Sequence, residues 1–181
     1  MSAGAPETAK CACCGDDVSL GDAEPAFRFP DAYVALDATE RQTRALAGAD
    51  YCRIGDLKTK LPCEGVDVYV RAVVPFGLRG LDRVFRWGVW VKMDRQEDFV
   101  RIVKTHSSPT QAEQPPMSAT IANELRAYEG GLGLPCRVQL VSPRQRPMVL
   151  FDESVDHPFA IAQREGIFPH QAERWLRHFF D

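Results

Sequence analysis

The segment Phe85-Arg86-Trp87-Gly88-Val89-Trp90-Val91 constrains this chain more than any other. Side chains as large as tryptophan need a closely matched packing site, so two of them around a glycine mark a strand with specified neighbours. Alternation puts Phe85, Trp87, Val89 and Val91 on one face, and Arg86, Gly88, Trp90 and Lys92 on the other. That is the period of a β-strand. Residues 66–74 (VDVYVRAVV) alternate in the same way, and the glycine-containing stretch 75–82 reads as the turn joining the two. On the second face, Trp90 is expected to cover the bare backbone of Gly88.

The remaining segments mix helical and extended patterns. Asp31 is expected to cap a short helical turn, residues 39–47 a helix, and residues 51–54 a brief strand. Asp94 is expected to cap a helix through Lys104 that docks Phe99, Ile102 and Val103 on the sheet. Residues 118–128 read as a helix stopped by Gly130-Gly131, and 136–141 with 147–151 as a hairpin. Asp156 with Pro158 is expected to open a helix that ends at Gly166. A final amphipathic helix carries Ala172, Trp175, Leu176, Phe179 and Phe180. The fold class expected is therefore α+β: an antiparallel sheet flanked by helices, with an N-terminal C-x-x-C-G knuckle. Residues 1–10 read as a disordered tail, and 11–181 as a single domain with a polar loop at 107–116.

Bulk properties narrow the function classes. A net charge of −3 and scattered arginines offer no basic face, so no nucleic-acid partner is expected. No apolar run reaches the roughly 18–20 residues a membrane helix needs, and the N-terminus lacks a secretory pattern. A cytoplasmic location is expected, where the six cysteines favour metal binding or thiol chemistry over disulfides.

Cys11-x-x-Cys14-Gly15 has the spacing of a zinc knuckle, in which a two-residue gap lets both thiolates reach one ion. Cys52 is the expected third ligand, with Cys63 or Cys13 as completions. Decay of the site into buried or merely reduced thiols is the other reading. A thioredoxin-type role is disfavoured, because Gly15-Asp16-Asp17 opens no helix and the two acids raise a thiol pKa. His157 sits beside Asp156 and could serve as a base or ligand, but capping by Asp156 and Pro158 accounts for these residue types. His106, His170 and His178 read as surface or helix-end residues. The Arg144/Arg146 turn could meet an anion, although exposed turn arginines usually bind nothing specific. No nucleophile elbow, phosphate-cradling loop or H-E-x-x-H pattern occurs.

In this order and spacing, the segments resemble an uncharacterised bacterial family, domain of unknown function 2199. The resemblance rests on Cys11-x-x-Cys14-Gly15, Phe29-Pro30-Asp31, the Cys52 strand, Val68-Tyr69-Val70-Arg71 and Trp87-Gly88-Val89-Trp90. It continues through Asn123-Glu124-Leu125, Tyr128, Arg146-Pro147, Asp156-His157-Pro158-Phe159-Ala160 and Gln163-Arg164-Glu165-Gly166-Ile167. It implies an architecture and no activity. The chain departs from the family pattern at Val18, where a histidine is expected, and at 55–65, which reads as an insertion. The expected function is a non-enzymatic binding or accessory domain, with zinc at Cys11, Cys14 and Cys52. A protein partner would dock on the Trp90 face or on the Trp175/Phe179/Phe180 helix. The rival is a metal- or thiol-dependent enzyme that joins the Cys11/Cys14 region to His157.

Overall fold

The computed structural model describes residues 8–11, 13–15, 17–19, 24–105, 108–125, 128–143 and 145–180, apart from the side chains of 8, 9, 18, 19 and 178–180. A short hairpin, β1 (Thr8–Lys10) with β2 (Asp17–Ser19), comes first. Two short helices, α1 (Asp31–Val34) and α2 (Ala38–Arg44), precede β3 (Ala45–Ala47) and β4 (Tyr51–Ile54). The long strands β5 (Asp67–Gly77) and β6 (Val84–Met93) follow, then α3 (Gln96–Thr105) and β7 (Met117–Ile121). The chain ends with β8 (Pro135–Gln139), β9 (Met148–Leu150), α4 (Pro158–Glu165) and α5 (Pro169–Phe180).

Strands β3 to β9 form one sheet in chain order. The sheet is not wholly antiparallel as expected. β5 also pairs with β9 in parallel at Val73 and Met148, so β5 to β9 close on themselves as a small barrel. Closure covers a strand edge that an open sheet would expose. Val68, Val70, Ala72, Val74 and Phe76 of β5 point into the core with Phe85, Trp87, Val89, Val91 and Met93 of β6.

Two expectations fail here for physical reasons. Where a helix over 118–128 was expected, Met117–Ile121 form strand β7 and 122–125 are not helical: Met117, Ala119 and Ile121 are buried at period two, between partners on β6 and β8. Pairing on both edges overrides the modest helix propensity of these small residues. Nor does Trp90 cover Gly88. Ala26 bridges to Gly88, and a Cβ on Gly88 would lie 2.6 Å from the Ala26 Cβ.

Trp90 instead lies in a second cluster with Cys52, Ile54, Tyr69 and Ala122, beneath Tyr33 and Leu36. Asn123, fully buried, ties this region together. Its Oδ1 accepts from Trp90 N–H (2.7 Å), and its amide donates to Phe29 O and Asp31 Oδ1, both at 2.9 Å. Three of the segments that carry the family resemblance thus meet in one buried network. Asp31 lies inside α1 instead of capping it, because its carboxylate faces Asn123 and Glu124 N–H. No helix among the described residues is long and apolar enough to cross a membrane.

Candidate metal centre

The tip of the β1–β2 hairpin carries the cysteines. Gly15 N–H donates to Cys11 O at 2.8 Å, closing a tight turn. Gly15 adopts φ +76°, a conformation that L side chains rarely take. The turn draws Cys11, Cys13 and Cys14 together, and the fourth donor arrives from the other end of the chain.

That donor is His170, in the first turn of α5. Pro169 opens the helix, where its missing N–H is no loss. Trp175 anchors the helix, lying 5.1 Å from Phe76, 5.2 Å from Trp87 and 5.6 Å from Tyr128 between ring centroids. The His170 ring stacks on Phe168 at 5.9 Å. So held, His170 Nδ1 lies 3.3 Å from Cys11 Sγ and 3.2 Å from Cys13 Sγ. The two sulfurs are 3.2 Å apart. With Cys14, the four donor atoms lie within 4.8 Å of one another, close enough to hold a metal ion.

The thiols are electrostatically unequal. Cys11 is buried, which alone would raise its pKa, but hydrogen bonds win: chiefly that from the His170 side chain, then one from the Cys13 backbone, bring it down to about 6. Cys13 is pushed up to about 12, first by its hydrogen bond to Cys11 and next by desolvation. These hydrogen bonds favour the thiolate at Cys11 and the protonated thiol at Cys13. A tetrahedral zinc with bonds of about 2.3 Å to sulfur sets sulfur–sulfur edges of about 3.8 Å. The Cys11–Cys13 pair would open by about half an ångström to meet that geometry.

Of the three expected ligands, Cys11 and Cys14 belong to this group and Cys52 does not. Cys52 is buried on β4, packed with Tyr69 and Trp90, and burial pushes its thiol up to about 12. Cys63 lies elsewhere, its backbone N–H and C=O both bonded to Gln96. Cys13 takes a place that the sequence offered only as a completion. No spacing rule could have found His170, which lies 159 residues from Cys11.

His157 is not in the group. It is itself the N-cap of α4, a role expected of Asp156. Its Nδ1 accepts from Phe159 N–H at 3.2 Å, which leaves the proton on Nε2 to donate to Glu129 O at 2.9 Å. Both ring nitrogens are therefore engaged with backbone. Trp90 is fully buried and Trp175 is 5% exposed, so neither ring forms the docking face expected of it. The Phe179 and Phe180 side chains, His106, Arg144 and the His178 side chain lie outside the described residues, as do residues 1–7 of the expected tail. Thr8–Lys10, also assigned to that tail, form β1.

Residues 10–167 match the family described as "Uncharacterized protein conserved in bacteria (DUF2199)". The chain belongs to this family. The match covers the three cysteines of the tip and ends before His170. Comparison with curated proteins and with solved structures found no match in either. What this DUF2199 member does must be read from its own site.

Proposed function

We propose that this DUF2199 protein is a binding or accessory domain whose N-terminal hairpin is fastened to its C-terminal helix by a structural zinc ion. Cys11, Cys13, Cys14 and His170 are the ligands. The observation that carries this reading is the convergence of three sulfurs and one imidazole nitrogen within 4.8 Å. Thiolates with an imidazole suit zinc, and structural zinc sites take four protein donors. A catalytic zinc keeps one position open for water or substrate, and four protein ligands leave none. The rival enzyme also loses His157, whose ring nitrogens both bond backbone.

The test is metal content per chain by plasma mass spectrometry, on untagged protein purified under reducing conditions. About one zinc per chain is expected in the wild type and in Cys52→Ser, with loss in Cys14→Ser and His170→Ala. Wild-type protein without metal, or zinc held equally by His170→Ala, would overturn the assignment.

A further inference from the structure

One edge of β5 changes partners partway along. Arg71 N–H donates to Asp50 O, beside the end of β4, at 2.8 Å. Two residues later Val73 N–H donates to Pro147 O, beside β9, at 2.9 Å. At this junction lies a cavity of about 720 Å³, within the range of small-molecule sites. Tyr51, Val73, Ile102, Leu140 and Met148 supply much of its apolar wall.

Among the described residues its charges do not balance. The lining holds Arg71, Arg86 and Arg146 against Glu24 and Asp50. Arg86 pairs with Glu24 at 3.2 Å and Arg146 with Asp50 at 3.1 Å. Arg71 is left over: its Nε is buried with no hydrogen-bond partner among the described residues, and its Nη1 reaches Ala49 O only at 3.5 Å. A buried donor left without an acceptor is destabilising. Burial first, and then the neighbouring Arg146 cation, also disfavour the charge on Arg71, and the Asp50 carboxylate, already paired with Arg146, offsets them only in part. An anion on the accessible Nη edge of this guanidinium would offset the penalty on its charge.

We propose that this cleft binds a small monocarboxylate with an apolar body. The carboxylate sits on Arg71 and the body lies against Tyr51, Val73, Leu140 and Met148. A single unpaired guanidinium matches one negative charge, whereas a phosphate monoester brings about −1.5 to −2. The inference gives the binding-domain reading a ligand class and rests on that reading, not on the metal. None of Cys11, Cys13, Cys14 or His170 lines the cleft.

The experiment is isothermal titration calorimetry of the full chain with octanoate, octan-1-ol and inorganic phosphate. Octanoate is expected to bind saturably, with the other two weaker by about tenfold or more, the value of one charge-assisted hydrogen bond. Arg71→Met is expected to lose octanoate affinity by about the same factor. Val73→Phe, which keeps Arg71 and puts an aromatic ring into the apolar part of the cavity, is expected to weaken binding by about tenfold or more, so the proposal stays testable if Arg71→Met does not fold. No saturable octanoate binding by the wild type, phosphate or octanol binding as tightly, or unchanged binding in either folded variant would overturn it. Zinc content, measured on the same samples, separates this failure from failure of the metal site.

Discussion

Trp175→Ala tests whether core packing places a ligand that it does not touch. Trp175 fills the space among Phe76, Trp87, Tyr128, Phe85 and Phe159, with ring centroids 5.1 to 6.3 Å away. Truncating a buried tryptophan costs about 3–5 kcal/mol, because the cavity left behind collapses only in part. That is a large share of the roughly 5–15 kcal/mol that holds a domain folded. With a guanidinium slope of about 4 kcal/mol/M, the unfolding midpoint should fall by about 1 M in chelator-treated protein. The same helix carries His170 into the thiol group, so zinc affinity should fall as well. Apparent zinc-site free energies of about 10–16 kcal/mol, shared over four ligands, put one donor at about 2.5–4 kcal/mol. Disengaging His170 should therefore weaken zinc binding by about a hundredfold or more, read by competition with a chromogenic chelator. Trp175→Phe, which refills most of the cavity, should lose much less of both. A folded Trp175→Ala protein that loses the expected stability yet binds zinc as the wild type does would refute the argument that this packing positions His170.

Other outcomes follow from single contacts. Asn123→Ala strands Trp90 N–H and Phe29 O in a buried site, and urea unfolding should show a loss of about 3 kcal/mol or more. His157→Ala removes the α4 cap and should cost about 1 kcal/mol, with zinc content unchanged; loss of zinc would restore His157 to the site. In metal-free protein, thiolate absorbance should show a step near pH 6 that Cys11→Ser abolishes. Because Cys11 falls from 9.0 to about 6 on folding, the unfolded chain holds more protons across that window, and its contribution to stability should rise with pH. Cys13, raised from 9.0 to about 12, acts in the opposite sense above pH 9. An unfolding midpoint that declines from pH 6 to 9 would contradict the Cys11 assignment.

What the sequence determined by itself was local in origin. Alternation in residues 66–74 and 85–93 specified the β5–β6 hairpin and its buried face, because side-chain direction in a strand follows position alone. Pro158 and Gly166 bounded α4, and the two-residue gap with Gly15 marked the turn that gathers Cys11 and Cys14. Tertiary structure decided the rest. Strand β7 exists because β6 and β8 offer it two edges, and the barrel closes through one parallel pairing that no turn announces. Cys52 lies in the core, away from the other thiols, in a cluster packed by Tyr33 of α1, Leu36 of the following link, and Ala45 and Ala47 of β3. His170 reaches the thiols because the aromatic cluster around Trp175 holds α5 in place. Ligand geometry depends on distance in space, and a separation of 159 residues along the chain carries no trace of 3.3 Å between two atoms.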